Sequence, residues 1–285
     1  MTPDISDGTP EIDKLALTQR VGLFVLIGWL CVLGFPILLQ AVPAGLLVTS
    51  ALSTFAAGAI ANAITVRIYE HGRLADFGLG KSPVAGKEFL LGATVGASAA
   101  VAVLGFPLVF HIAELDKTPT TVGHPWAAVP VVAIALLFGA AGEEMLFHGY
   151  AFQLLVRTMG PFATILPAGV VFGLAHTGNQ NATALGIVNT FAWGILLGYA
   201  YWETGALWLP IGLHFGWNVV LPLLGANLSG FTMGLTGYAL HWSAGRLWSG
   251  GDYGPEGSLL TTFVVIALFW VLARASRSRN VAGNS

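Results

Sequence analysis

Charged residues are scarce in this sequence of 285 residues. Asp, Glu, Lys and Arg make up 9% of the chain, against roughly 25% in an ordinary soluble domain, whereas 55% of the residues are hydrophobic. A folded chain of this length needs far more polar surface to stay dissolved in water. The composition therefore excludes a soluble globular enzyme and predicts an integral membrane protein.

The net charge of the chain is small, and cysteine is rare. The formal net charge of −2 provides no basic surface for nucleic acid, so no nucleic-acid partner is expected. Cys31 is the only cysteine, which excludes an intrachain disulfide. Its position inside an apolar run is typical of a small buried hydrophobic residue.

Long apolar runs make up most of the sequence. A transmembrane helix needs about 20 mostly apolar residues to cross roughly 30 Å of hydrocarbon. The runs that meet or approach this length predict an all-α integral membrane protein, a bundle of about eight transmembrane helices. They are residues 20–42, 44–66, 86–112, 127–157, 161–180, 183–202, 206–226 and 257–274.

The chain has no internal repeat and no low-complexity linker that would divide it. We therefore expect a single transmembrane domain over residues 20–274, preceded by a polar tail over 1–19 and followed by a C-terminal tail over 275–285. The segment 227–256 is longer than a simple connector and contains several aromatic residues. It is expected to lie on the outer leaflet, to cap the bundle, or to form a disordered loop.

The positions of lysine and arginine predict the orientation of the chain. If the spans alternate with the N-terminus inside, only Lys117 and Arg246 fall on the outer side. This bias follows the positive-inside rule and predicts a multi-pass protein of the cell membrane with cytoplasmic N- and C-termini. The cytoplasmic set is Lys14, Arg20, Arg67, Arg73, Lys81, Lys87, Arg157, Arg274, Arg277 and Arg279.

Ionisable side chains inside the predicted spans are few, and each costs on the order of 3 kcal/mol at membrane depth. Because helical residues four apart share a face, Glu144 and His148 point the same way. Glu143 is rotated by about 100° from Glu144 and faces another side. The polar residues of the fourth, fifth and seventh spans are Glu143, Glu144, His148, His176, His214 and Asn218.

Helix length indicates that these residues lie at one depth. Glu143 and His176 are separated from the turn near Gly160 by similar stretches of chain, so an antiparallel hairpin would place both roughly 25 Å along its helices. His214 and Asn218 rise toward the same layer from the following cytoplasmic loop. We therefore expect three helices to meet at one polar pocket.

These motifs, in this order, resemble those of the CAAX protease and bacteriocin-processing family of intramembrane proteases. That family carries Glu-Glu-x-x-x-Arg, Phe-x-x-x-His and His-x-x-x-Asn on successive membrane helices. The sequence departs from the pattern at His148, which replaces the arginine of the family but can still donate to Glu144 one turn earlier. The matching residues, between positions 85 and 225, are Glu143-Glu144, Phe172 with His176, and His214 with Asn218.

The resemblance implies an endopeptidase that hydrolyses peptide or protein substrates inside the lipid bilayer. Peptide hydrolysis needs an activated water, a group that takes its proton, and donors for the oxyanion. Glu143 is the candidate general base, and His176 would hold the same water. His214 and Asn218 suit an oxyanion site, while Glu144, His148 and Phe172 are expected to support these residues.

The role of a metal stays open at this point. Glu143, His176 and His214 could form a two-histidine, one-carboxylate zinc set, which would make the protein a metalloprotease. We favour the metal-free account, because His214 and Asn218 are placed as paired hydrogen-bond donors.

Two other functions remain as alternatives. One is a proton-coupled transporter, since membrane Glu and His residues also build proton relays. The other is a catalytically inactive membrane scaffold of the same fold, which the loss of the family's arginine at His148 would allow. A relay would spread ionisable residues across the depth of the membrane, whereas these gather in one layer. No feature of the sequence indicates an oligomeric state.

Overall fold

Apolar helices form nearly all of the regular structure, as the long apolar runs predict. The computed structural model describes residues 13–39, 45–118 and 125–283. Its α-helices are α1 (Lys14–Leu39), α2 (Gly45–Tyr69), α3 (Pro83–Val109), α4 (Pro125–Phe147), α5 (Tyr150–Met159), α6 (Pro161–Ala175), α7 (Ala184–Thr204), α8 (Trp208–Leu223), α9 (Arg246–Ser249) and α10 (Leu259–Gly283). Strands β1 (Ala113–Lys117) and β2 (Tyr238–Trp242) and the 3₁₀ turns Leu74–Phe77, Gly251–Tyr253 and Pro255–Gly257 complete the fold.

The helices vary in their ability to cross a membrane. Among the described residues, five stretches are long and apolar enough to do so: α1, α2, α3, α7 and the stretch Ala127–Met159 that joins α4 and α5. The apolar part of α10 and the helix α6 are shorter, as is α8 with 16 residues. The predicted all-α membrane bundle is confirmed, whereas the count of eight spans is approximate.

Three boundaries differ from the sequence prediction. Helix α1 already begins at Lys14, inside the predicted tail 1–19, of which residues 1–12 lie outside the described part. Helix α10 continues to Gly283, past the predicted end at 274, because a helix that leaves the apolar layer can continue with polar residues in water. The fourth predicted span, 127–157, is two helices rather than one, since α4 ends at Phe147 and α5 begins at Tyr150.

Asn62 and Gly149 explain the break between α4 and α5. Asn62 is buried in α2, where its Nδ2 donates to the Met145 carbonyl at 2.8 Å and its Oδ1 accepts from the Tyr150 N–H at 2.8 Å. A side chain at Gly149 would collide with the Met145 carbonyl and with the amide of Asn62. The Asn62 amide thus replaces helix hydrogen bonds that are lost at the break, which a membrane interior would otherwise leave unsatisfied.

Glycines set the closest contacts between helices. The backbones of α3 and α8 approach each other so closely that a Cβ on any of four glycines would collide with the facing backbone. Helices α2 and α4 meet in the same way. Small residues are favoured between membrane helices because they allow such close approach. The glycines are Gly92 and Gly96 in α3, Gly212 and Gly216 in α8, Gly58 in α2 and Gly142 in α4.

The segment 227–256 is folded against the helix ends. Its strand β2 pairs antiparallel with β1, with Ala113 opposite Trp242 and Lys117 opposite Tyr238. The buried side chain of Asn189 in α7 donates to the carbonyls of Glu256 at 2.8 Å and Ser258 at 2.9 Å. Of the predicted alternatives, the structure favours a cap on the bundle over a disordered loop.

We expect Gly96→Ala to destabilise the protein, because the added methyl group would collide with the backbone of α8 at Leu213. Overpacking of this kind typically costs about 1–3 kcal/mol. Thermal unfolding in detergent would show it as a lower midpoint. Gly105→Ala in the same helix is the matched control, since a methyl group there meets nothing within 4 Å. Equal midpoints for the two variants would contradict the proposed helix contact.

Candidate active site

Helices α4, α6 and α8 bring the predicted motifs to one cavity of about 300 Å³. Glu143 lies near the end of α4, and His176 follows α6 directly. His214 and Asn218 lie one turn apart on α8. All four residues line the cavity together with Phe172, so the structure brings the candidate residues together as the helical spacing predicts.

Glu143 faces both histidines of the cavity through one carboxylate oxygen. Its Oε2 lies 3.6 Å from Nε2 of His176 and 3.8 Å from Nε2 of His214. Both distances are longer than a direct hydrogen bond, and within the described residues this oxygen has no hydrogen-bond partner. Separations of this size suit polar groups that share one water molecule. The three side chains therefore converge on a single point.

The ring of His176 is oriented by its own helix. Its Nδ1 donates to the backbone carbonyl of Phe172 at 2.7 Å, because a carbonyl can only accept. The proton on Nδ1 leaves Nε2 directed at Glu143. The Phe172 ring is buried and lies 4.8 Å from the ring of His176, measured between centroids. Phe172 therefore supports His176 twice, through its carbonyl and through its ring.

Glu144 points away from the cavity into the protein interior. Both Glu144 and His148 are fully buried, and Oε2 of Glu144 accepts from Nδ1 of His148 at 2.7 Å. The other oxygen, Oε1, accepts from Nδ1 of His214 at 2.8 Å. A buried carboxylate requires such donors, because its desolvation is otherwise costly. The rotation predicted between Glu143 and Glu144 thus assigns one carboxylate to the cavity and the other to the interior.

The possible zinc set has no support among the described residues. Glu143, His176 and His214 do line one cavity. Within the described parts of the chain, however, no group of three or more His, Cys, Asp or Glu side chains has an arrangement that could hold a metal ion. The interpretation as a metalloprotease therefore has no support in the donor positions.

Glu256 and Ser229 line the same cavity and are not among the predicted site residues. The carboxylate of Glu256 accepts from the N–H and hydroxyl of Ser229 and from Nε1 of Trp217, the last at 3.4 Å. Burial raises the pKa of Glu256, and the donors of Ser229 and Trp217 partly offset this effect. The one sequence signal for these residues was the unusual length of the segment 227–256.

Residues 125–220 match the family model described as type II CAAX prenyl endopeptidase Rce1-like. The predicted resemblance to the CAAX protease family is confirmed. The matched interval covers about a third of the chain and includes the site residues from Glu143 to Asn218. The CAAX protease match does not extend to Asn62, Ser229 or Glu256. Among curated proteins, none matches this chain.

We expect His148→Phe to destabilise this candidate site strongly, because it leaves the buried Glu144 carboxylate with one of its two imidazole donors. Leaving a buried polar group without its hydrogen-bond partner typically costs about 1–3 kcal/mol, and more for a charged group. Thermal unfolding in detergent would measure the loss. The double variant Glu144→Gln/His148→Phe should recover part of it, since a neutral amide is less costly to bury.

His241→Phe is the matched control for this experiment. His241 is exposed on β2, so the same substitution there should change the unfolding midpoint little. A His148→Phe variant as stable as His241→Phe would show that Glu144 does not depend on His148.

Proposed function

We propose that this protein is an intramembrane endopeptidase that hydrolyses peptide bonds in a cavity between its membrane helices. The observation that carries the proposal is the convergence of Glu143, His176 and His214 on one point inside an apolar bundle. The match of this segment to the CAAX protease family supports the same reaction class.

Glu143 is the proposed general base. It is the carboxylate of the cavity that lies closest to both histidines, with its Oε2 within 4 Å of each. A water that contacts both Glu143 and His176 can give one proton to the carboxylate and attack the substrate carbonyl as hydroxide. Nε2 of His176 holds this water in place, because Nδ1 is already committed to the Phe172 carbonyl.

His214 and Asn218 are the proposed donors to the oxyanion. His214 donates to Glu144 through Nδ1, so Nε2 is the ring nitrogen that can reach a substrate. Donation from Nε2 as well requires an imidazolium ring, and the carboxylate of Glu144 compensates that positive charge. Asn218 lies one turn further along α8 and lines the same cavity, so its amide can donate from the same face.

The proposed reaction uses no metal. In this account, Glu143 takes the proton of the attacking water and returns it to the nitrogen of the leaving amine as the C–N bond breaks. Two histidines and an amide supply the polar contacts to the water and the oxyanion. The alternative with zinc predicts a different response to chelators, and the experiment below separates the two.

The spatial grouping of the ionisable residues favours a hydrolase over a proton-coupled transporter. A relay needs titratable groups strung across the membrane, whereas Glu143, Glu144, His176 and His214 form one connected cluster. An inactive scaffold is less favoured, because His148 still provides a donor to Glu144 at 2.7 Å where the family has arginine.

We also propose that both termini face the cytoplasm. The support is the distribution of lysine and arginine, since only Lys117 and Arg246 fall on the opposite side. Lys117 lies on β1 and Arg246 begins α9, so both belong to the elements at the capped end of the bundle. The cavity would then be covered from the outer side by the segment 227–256.

Glu143→Gln should lower the rate of peptide cleavage by a factor of about 1,000 or more, because the amide cannot accept the proton of the attacking water. The measurement is cleavage of a fluorogenic peptide library by purified protein in nanodiscs. The variant should keep its unfolding midpoint, since Oε2 of Glu143 makes no direct hydrogen bond within the described residues.

Glu114→Gln is the matched control, because Glu114 is exposed on β1 and outside the cavity. It should cleave at the wild-type rate. Wild-type activity that survives EDTA and 1,10-phenanthroline would agree with the metal-free reaction, and activity that is lost and then restored by zinc would contradict it. Undiminished cleavage by Glu143→Gln would remove the assigned base.

A further inference from the structure

Glu256 is a carboxylate in the wall of the cavity that the proposed reaction does not use. It lines the same cavity as Glu143 and His176 but comes from the 3₁₀ turn Pro255–Gly257, outside the three motifs. The residue is partly exposed, so it is accessible from the cavity. A carboxylate placed beside reacting groups in an apolar protein needs a physical reason.

The structure holds Glu256 from two directions. Its backbone carbonyl accepts from the buried amide of Asn189 at 2.8 Å. Its carboxylate accepts from the N–H and hydroxyl of Ser229 and from Nε1 of Trp217. Trp217 directly precedes Asn218 on α8, so the carboxylate is fixed relative to the helix that carries the oxyanion donors.

The groups that hold the Glu256 carboxylate are neutral. An amide N–H, a hydroxyl and an indole N–H orient the carboxylate but do not neutralise its charge. Among the described residues that line the cavity there is no Lys or Arg. His176 is near enough to interact electrostatically with Glu256, but its Nε2 faces Glu143 at 3.6 Å. Glu256 therefore places a carboxylate in the cavity wall with no lysine or arginine among the described lining residues to pair with it.

We propose that Glu256 determines specificity by selecting substrates with a lysine or arginine side chain close to the scissile bond. This inference rests on the proposed peptidase function. An ammonium or guanidinium group in the cavity would donate to the carboxylate and compensate its charge, and charge-assisted hydrogen bonds of this kind are stronger than neutral ones. Burial raises the pKa of Glu256, and a bound cation would favour its ionised form.

The test is cleavage of a positional series of fluorogenic peptides by the full-length protein in nanodiscs. Lysine, norleucine or glutamate occupies each position around the scissile bond in turn. At one position we expect kcat/KM to be about tenfold or more higher for lysine than for norleucine, and lowest for glutamate. In Glu256→Gln the ratio of kcat/KM for the lysine peptide to kcat/KM for the norleucine peptide should fall to about one, whatever the change in overall rate.

Asp252→Asn is the matched control, since it removes one negative charge from the same segment at an exposed position. It should keep the preference for lysine. Equally fast cleavage of the lysine and norleucine peptides by the wild-type protein at every position, or an unchanged preference in Glu256→Gln, would overturn the proposal. If Glu256→Gln fails to fold, Glu256→Asp withdraws the carboxylate by one methylene, and an undiminished lysine preference there would also overturn it.

Peptide binding to Glu143→Gln separates this inference from the proposed function. Fluorescence anisotropy would compare the lysine and norleucine peptides on Glu143→Gln and on Glu143→Gln/Glu256→Gln. Tighter binding of the lysine peptide that is lost in the double variant would support the role of Glu256, even if the wild-type protein cleaves neither peptide. Equal binding of both peptides to Glu143→Gln would count against it. Cleavage that persists in Glu143→Gln would contradict only the assigned base.

Discussion

The carboxylate of Glu144 joins two parts of the bundle at a fully buried position. It accepts from His148 at the break between α4 and α5 and from His214 on α8. In apolar surroundings, a buried carboxylate that loses a hydrogen-bond donor raises the free energy of the folded protein. This cost keeps both imidazole rings in their positions against Glu144. His214 is thereby oriented with Nε2 toward Glu143. The geometry around the proposed base thus depends on a hydrogen bond outside the cavity.

His148 stands where the motif that this sequence resembles has arginine, and the histidine fits its surroundings. Nδ1 of His148 faces Glu144, and Nε2 lies 3.3 Å from the carbonyl of Gly194 on α7. A histidine with both ring nitrogens protonated has one N–H donor for each of these two acceptors. An arginine has five N–H donors, so three of them would need further acceptors. A Cβ on Gly198 would lie 3.3 Å from Nε2 of His148, so the ring already fills the space against α7. The imidazole ring of His148 therefore fits this environment.

The sequence predicted which residues meet in the cavity better than it predicted where the helices begin and end. The division between Glu143 and Glu144 follows from the geometry of any helix, so it was predictable. The break at Gly149 was not, because residues 127–157 form one largely apolar run of spanning length and the stabilising amide of Asn62 comes from a different helix. The position of Glu256 in the cavity could not be predicted either, because a loop has no periodic sequence pattern that shows which way a side chain points. Its contacts with Ser229 and Trp217 depend on tertiary packing.

The two adjacent glutamates differ in what they contribute to folding. Glu144 has a donor for each oxygen, so its burial is compensated. Oε2 of Glu143 is buried without a direct hydrogen bond within the described residues, so it adds nothing comparable to stability. Proteins tend to break local rules of packing and hydrogen bonding at functional sites. A scaffold would gain stability from an apolar residue at position 143, whereas a peptidase needs an acceptor there that is still free to take a proton.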